Sequence, residues 1–291
     1  MLFNLSQTIV LALFLAQQTV AQTLVSSAIY QKLVRYTSFS SAAYGPTCAF
    51  PAYGSSVVRY FNDTTGTQTR ATLFRDDSAK ELIIAFKGTS SPKDLDTDLD
   101  AILVPLIAVG TSCSSCLVHE GFQAGYNSLA SVVSSSIKSQ LASHPGYKLT
   151  VTGHSLGGAL AAIATSSLVG QKVPVSATYT FGEPRNGNAA WASYINKQIP
   201  SANYYRVTHA NDGVPQIPPS VLNYVHHGAE YWESKASGNS ASTTYKCDTD
   251  SPKCNAGQAT GTNPINGAHI GYLDMVIGSS LFIAACGAVF P

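Results

Sequence analysis

Short apolar runs of strand length alternate with longer stretches of helical period through the middle of this chain. Leu82-Ile83-Ile84-Ala85-Phe86 is a continuous apolar run and reads as a strand buried on both faces.

 Val57 to Phe61 and Thr69 to Phe74 read as two strands joined by a turn around Asp63 to Gly66. Lys148 to Thr152, Ala177 to Phe181 and Tyr204 to Thr208 read as further strands. Between them lie stretches of helical period: Thr23 to about Tyr44, with apolar Leu24, Ile29, Leu33 and Val34, then Gly121 to Leu141, the Ala-rich Gly158 to Val169, and Ala189 to Gln198. Ser234 to Thr244 is polar and Ser-rich and reads as a surface loop. Strands alternating with helices predict an α/β fold, a mainly parallel central sheet with helices on both faces. With neither an internal repeat nor a dividing linker, residues 22–291 read as a single domain.

The first 21 residues stand apart. Thr8 to Ala16 is a short apolar core, and Thr19-Val20-Ala21 supplies small residues for cleavage after Ala21. The segment before the core has no Lys or Arg, a departure from the usual secretory signal, and the core is too short to span a bilayer. A cleaved signal peptide over residues 1–21 is expected, and with it an extracellular location. No later segment has the length and apolarity of a membrane span, the tail from Leu281 to Phe290 included. All six cysteines, Cys48, Cys113, Cys116, Cys247, Cys254 and Cys286, follow the signal. An even number in an oxidising compartment implies disulfides, in any of about fifteen pairings. Cys113-Ser-Ser-Cys116 lacks both a partner pair at zinc-finger spacing and a thioredoxin-like context, so a local disulfide is the better reading. Asn62-Asp63-Thr64 is a sequon, which makes Asn62 a candidate glycosylation site. A net charge of +1 offers no electrostatic footprint for nucleic acid.

The strongest chemical signal is Gly153-His154-Ser155-Leu156-Gly157, set between a predicted strand and a predicted helix. That context is the one a nucleophile elbow requires. A serine hydroxyl attacks well only when a base takes its proton, and the base is commonly a histidine oriented by a buried carboxylate. Asp212 follows the strand Tyr204 to Thr208, where open α/β sheets place their sites. Glu183 also follows a strand and is the runner-up acid, with Asp248, Asp250 and Asp274 weaker. His269 lies late in the chain, in the order Ser, acid, His, whereas His209 would reverse it. His154 should point away from Ser155. Adjacent His226 and His227 would face opposite sides of a strand, which argues against a shared metal. Leu156 and Thr89, in Lys87-Gly88-Thr89, are the candidate oxyanion donors.

The segment that follows Thr89 is unusual. Asp94, Asp96, Asp98 and Asp100 alternate with Leu95, Thr97 and Leu99, then give way to the apolar run Ala101 to Val109. A calcium loop would need a glycine at its sixth position and a glutamate at its twelfth, and neither is present. The apolar run can be a buried strand or helix, or a lid and pocket wall beside the oxyanion loop.

Taken together, Phe86-Lys87-Gly88-Thr89, Gly153 to Ala159, Phe181-Gly182-Glu183-Pro184-Arg185 with Gly187-Asn188, Asn211-Asp212 with Val214-Pro215, and Ala268-His269 with Tyr272 resemble the class 3 lipases. These are secreted fungal triacylglycerol lipases, with feruloyl esterases as close relatives. The resemblance covers nearly all of the mature chain and implies an α/β-hydrolase fold. It implies Ser155, Asp212 and His269 as a catalytic triad, with Thr89 and Leu156 lining the oxyanion hole. It further implies disulfides Cys48 to Cys286, Cys113 to Cys116 and Cys247 to Cys254.

The family often has a Trp where this chain has Leu95, and its feruloyl esterases carry a lid aromatic. No Tyr, Phe or Trp occurs between Thr89 and Val118. That favours an aliphatic acyl chain against Ile102, Leu103, Val104 and Leu106. The expectation is therefore a secreted, monomeric serine hydrolase of lipid esters, acting without metal or organic cofactor at a possible lipid–water interface. Alternatives are a feruloyl or cell-wall esterase with the same triad, a serine peptidase, or an inactive binding protein on a hydrolase scaffold.

Overall fold

The structure is a computed structural model that describes residues 22–45, 48, 51–63, 66–89 and 101–278. The expected signal peptide, the acidic stretch Asp94 to Asp100, Cys286 and the apolar C-terminal tail lie outside the described residues.

In chain order the elements are β1 (Thr23–Leu24), α1 (Ser27–Ala42), β2 (Ser56–Asn62), β3 (Arg70–Asp76), β4 (Glu81–Phe86), β5 (Leu103–Pro105), β6 (Leu117–His119), α2 (Glu120–Ser143) and β7 (Lys148–His154). There follow α3 (Leu156–Gly170), β8 (Val175–Phe181), α4 (Ala189–Gln198), β9 (Tyr204–His209), β10 (Glu230–Glu233), β11 (Thr244–Cys247), β12 (Gly271–Tyr272) and β13 (Met275–Val276). Among the described residues, nine strands form one sheet in the order β1-β11-β10-β9-β8-β7-β4-β3-β2. The centre, from β4 through β7, β8 and β9 to β10, is parallel. Both margins are antiparallel.

Strand alternation explains the two cores. On β4, Leu82, Ile84 and Phe86 face one side, where α2, α3 and α4 pack with Phe122, Tyr126, Ile163 and Trp191. Ile83 and Ala85 face the other, where α1 buries Leu33 and Phe39 against Phe74, Tyr179 and Val207. The α1 tyrosine Tyr36 stacks on Tyr179 at 4.0 Å, and Tyr179 stacks on Tyr205 at 4.5 Å. Helix α3 is buried along nearly its whole length. Its alanines and glycines let it cross the sheet closely, as the Ala-rich sequence predicts.

The structure differs from the sequence reading at the first helix. Thr23 and Leu24 are a strand paired with β11, not the first turn of α1. The break falls at Ser26, which is extended and whose hydroxyl caps α1 by accepting from the Ile29 N–H at 3.3 Å. Cys113–Cys116 and Cys247–Cys254 are disulfides, as the resemblance implies. Cys48 is also disulfide-bonded.

Candidate active site

Because β4, β7, β8 and β9 run parallel, their carboxyl ends open along one edge of the sheet. That edge is where an open α/β sheet places a site. Ser155 follows the last residue of β7 and precedes the first of α3, with φ 59° and ψ −132°. A non-glycine residue held at positive φ carries strain of about 1–3 kcal/mol, which the surrounding packing must hold in place. The packing is tight. A Cβ on Gly153 would overlap the Gly157 carbonyl, and one on Gly157 would overlap the Phe86 carbonyl. The two glycines of the motif are therefore where β7, α3 and β4 meet.

Three side chains converge on this edge. His269 Nε2 lies 2.9 Å from Ser155 Oγ, and His269 Nδ1 lies 3.0 Å from Asp212 Oδ2 and 3.1 Å from Oδ1. A carboxylate only accepts, so in the neutral imidazole Nδ1 carries the proton and Nε2 presents its lone pair to the serine hydroxyl. All three residues are buried. Asp212 has two further donors. The Val214 N–H donates to Oδ1 at 2.9 Å, and the Tyr272 hydroxyl donates to Oδ2. Gly182, at φ 57°, lies beneath the pair. A Cβ there would come within 3.0 Å of the His269 ring and 2.9 Å of Asp212 Oδ2. Asn255 Nδ2 donates to the Asp212 carbonyl at 2.8 Å, and Asn266 Nδ2 to the Asn211 carbonyl at 2.7 Å. These bonds tie the acid-bearing loop to the segment that carries the histidine.

Leu156 opens α3, where the first N–H groups have no partner within the helix. Gly88 packs against Ser155, since a Cβ on Gly88 would lie 3.1 Å from the Ser155 Cβ. Thr89 follows in the chain, so both candidate oxyanion residues flank the serine.

Other candidates fall elsewhere. Glu183 is buried beneath α3, accepts from Thr180 Oγ1 at 2.6 Å and faces His227 Nε2 at 3.4 Å. Burial pushes its carboxyl up to about 7. It makes no bond to His269. Asp250 pairs with Arg185 at 2.8 Å, and Asp274 accepts from the Gly238 N–H at 2.9 Å. His209 lies between the Ala268 and Lys235 carbonyls, at 2.9 and 2.8 Å. His226 Nε2 lies 2.7 Å from the Pro215 carbonyl. Among the described residues no group of three metal-ligating side chains comes together.

The apolar run after residue 100 divides in two. Leu103 and Val104 are in β5, paired with β6, and Ile102 beside them is exposed. The hairpin is tied to the first turn of α3. The His119 N–H donates to the Asn186 carbonyl at 2.9 Å, and Asn186 Nδ2 donates to the Ala159 carbonyl at 2.8 Å. Leu106 instead is half-buried and packs against the core, with its N–H on the Cys116 carbonyl at 3.0 Å. The chain then runs along α2, held by Gln123 and Asn127, until Ser167 near the end of α3 binds the Val109 carbonyl. A 15-residue helix is about 22 Å long, so this far end lies well away from Ser155. Residues 102–104 thus stand at the level of the elbow, and Leu106 to Val109 form a strap leading from it.

Sequence reasoning had not assigned roles to Tyr272, Gly182, Asn255 or Asn266. Tyr272 was visible only as the end of the Ala268-His269 motif. Gly182 was likewise visible only within the Phe181 to Arg185 motif, whereas Asn255 and Asn266 act from loops distant in sequence, with no local signal.

Comparison with known proteins follows the same lines. Residues 83–222 match the family model described as Lipase (class 3). The chain is 34% identical over 194 residues to a secreted mono- and diacylglycerol lipase A of Penicillium cyclopium, covering 66% of this chain and 61% of that protein. It is 35% identical over 187 residues to a lipase of Rhizomucor miehei, covering 62% of this chain and 49% of that one. The match thus spans less than two thirds of either relative. Among solved structures, lipase II of Rhizopus niveus superposes with a TM-score of 0.77 at 25% identity, over 89% of this chain and 99% of that one. A fungal lipase–inhibitor complex superposes with a TM-score of 0.77 at 28% identity, over 89% and 99%.

Proposed function

We propose that this chain is a class 3 lipase, a secreted serine hydrolase that cleaves carboxylic esters of lipids through an acyl-enzyme. The observation that carries the reading is the hydrogen-bonded series Ser155, His269, Asp212, with Ser155 in a strained strand-to-helix turn. His269 takes the hydroxyl proton as Ser155 Oγ attacks the ester carbonyl. The N–H groups of Thr89 and Leu156 receive the negative charge on the carbonyl oxygen. Loss of one such donor typically costs a factor of about 10²–10³ in kcat. The tetrahedral intermediate collapses as His269 returns the proton to the leaving alcohol. Water, activated by the same imidazole, then attacks the acyl-enzyme and releases the carboxylic acid. Asp212 orients the imidazole and stabilises its charged form, and no metal or organic cofactor takes part.

The acyl chain lies against Ile102, Leu103 and Val104, whose side chains are aliphatic. Leu106, half-buried against the core, supports that wall from behind. The working form is a monomer that meets its substrate at a lipid–water interface. It consists of one domain over residues 22–291, freed by cleavage after Ala21, with a glycan on Asn62 and a third disulfide from Cys48 to Cys286. Intact mass of the secreted chain, before and after glycosidase treatment and reduction, tests these features together.

The activity is tested with p-nitrophenyl esters of rising chain length beside methyl ferulate, below and above each substrate's solubility limit. Aliphatic esters are expected to react faster than the ferulate. Preference for methyl ferulate would assign the chain to the feruloyl esterases, and absence of any ester hydrolysis would remove the catalytic reading.

A further inference from the structure

His154 lies beside the nucleophile, yet its side chain points to the opposite side of the elbow, as the sequence reading expects. It is buried there between three segments far apart in sequence. His154 Nε2 is 2.8 Å from the His269 carbonyl oxygen, and Nδ1 is 2.8 Å from the Tyr44 hydroxyl. The Tyr44 hydroxyl in turn lies against Gly88, where an added Cβ would overlap its oxygen. The His154 and His269 rings lie beside each other in a tilted arrangement, with centroids 4.6 Å apart and planes inclined by 31°.

These contacts determine the direction of every hydrogen bond. A carbonyl only accepts, so His154 Nε2 carries a proton and donates to His269. Burial, and after it the neighbouring His269, hold the His154 imidazole well below its ordinary value, so the ring is neutral. Its Nδ1 is then a lone pair, and the Tyr44 hydroxyl must donate to it. Burial pushes the Tyr44 hydroxyl up, which keeps that proton in place. The series runs from the Tyr44 hydroxyl, packed on Gly88, to His154 Nδ1, and from the His154 N–H to the His269 carbonyl.

We propose that His154 is a positioning residue that holds the base loop at His269 and the oxyanion loop at Gly88-Thr89 in register with each other across the elbow. The proposal rests on the catalytic reading of Ser155, His269 and Thr89. Those groups come from separate parts of the chain, and a reactive geometry tolerates errors of only about 0.5 Å. One bond holds the His269 backbone directly. The other, through Tyr44, holds the peptide that leads into Thr89. The neutral ring also places no positive charge beside the imidazolium that His269 becomes during reaction. The space at this junction is full, because a Cβ on Gly88 would overlap Tyr44, and one on Gly278 would lie 3.2 Å from His154 Cε1.

The test compares His154→Gln, His154→Leu, Tyr44→Phe and the His154→Leu/Tyr44→Phe double variant in the full chain. Active sites are counted by stoichiometric phosphorylation with diethyl p-nitrophenyl phosphate, which releases p-nitrophenolate, and kcat and KM are measured on p-nitrophenyl butyrate. A glutamine amide can reproduce the Nε2 donor, and leucine cannot. Per titrated site, kcat is expected to fall about 10- to 100-fold in His154→Leu and about 3- to 10-fold in Tyr44→Phe, with KM changed less than twofold. His154→Gln should recover part of the loss, and the double variant should be no worse than His154→Leu alone. A kcat within twofold of the unaltered enzyme in folded His154→Leu would overturn the proposal. If that variant does not fold, wild-type kcat per site in both Tyr44→Phe and His154→Gln would overturn it equally. Failure of the unaltered enzyme to react with the phosphate triester would instead refute the catalytic reading on which the proposal rests.

Discussion

Glu183 provides a test of the buried electrostatics that does not depend on turnover. The perturbation is Glu183→Gln, which keeps the side-chain shape and removes the titrating proton. Glu183 Oε2 accepts from Thr180 and Tyr204, at 2.6 and 3.1 Å, while Oε1 faces His227 without a hydrogen bond. His227 offers no countercharge, because burial and then Arg206 push its ring down to about 3. Arg206 is the cation facing this carboxylate, and it also faces Glu230, 4.0 Å away. Burial, only partly offset by Thr180, by Arg206 shared with Glu230 and by Tyr204, leaves Glu183 holding its proton up to about pH 7, against an ordinary value of 4.5. A shift of that size corresponds to about 3 kcal/mol.

The sign follows from linkage. Below about pH 4.5 both native and unfolded chains hold the proton, and the full contribution is present. Between about 4.5 and 7 the unfolded chain releases it first, and native stability falls. Above about 7 the loss is complete. The glutamine variant has no proton to lose. Its stability relative to the unaltered protein should therefore rise by about 3 kcal/mol between pH 4 and pH 8, or roughly 6–12 °C in melting midpoint. Denaturant or thermal melts of both proteins at the two pH values measure this difference. An equal difference at pH 4 and pH 8 would refute the reasoning, because it would mean that Glu183 titrates in the native chain as it does in the unfolded one.

Three further outcomes follow. Tyr272→Phe removes a donor from the Asp212 carboxylate, and a hydrogen bond to a charged group is worth about 1.5–3 kcal/mol, so kcat should fall about 10- to 100-fold at unchanged KM. An unchanged kcat would show that the hydroxyl has no part in holding Asp212. Gly157→Ala pushes a methyl group onto the Phe86 carbonyl and should cost about 2–3 kcal/mol of stability in a denaturant melt, whereas a wild-type midpoint would contradict the close crossing of α3 and β4. Asn62→Gln should remove the glycan mass from the secreted chain without changing kcat, and an unchanged mass would show that Asn62 carries no glycan.

The parts of the fold legible in the sequence are those in which one periodic segment makes one element. Leu82 to Phe86 could be placed because every residue of the run is buried, and Gly158 to Val169 because small residues mark a close crossing. Elements made by pairing were not legible. Thr23–Leu24 is a strand only because β11 lies beside it, and Glu230–Glu233 has carboxylates at both ends that are buried by distant partners. The site shows the same division. The elbow is local, and its glycines announce it. The choice of Asp212 over Glu183 was not available from local residues, since both follow strands. It depends on which loop meets His269 in space, and Asn255, Asn266 and Tyr272 bring Asp212 there. The apolar run from Ala101 to Val109 left strand, helix and lid open, because its hairpin with β6 and its course along α2 are both set by residues outside the run.

The central claim is that Ser155, served by His269, attacks the ester carbonyl. It is tested most directly by titrating the protein with diethyl p-nitrophenyl phosphate while following p-nitrophenyl butyrate hydrolysis, and locating the adduct by peptide mass. One equivalent of p-nitrophenolate per chain is expected, with the phosphoryl group on Ser155 and activity falling to zero in proportion. Hydrolysis that persists with Ser155 fully modified, or in Ser155→Ala, would contradict the claim.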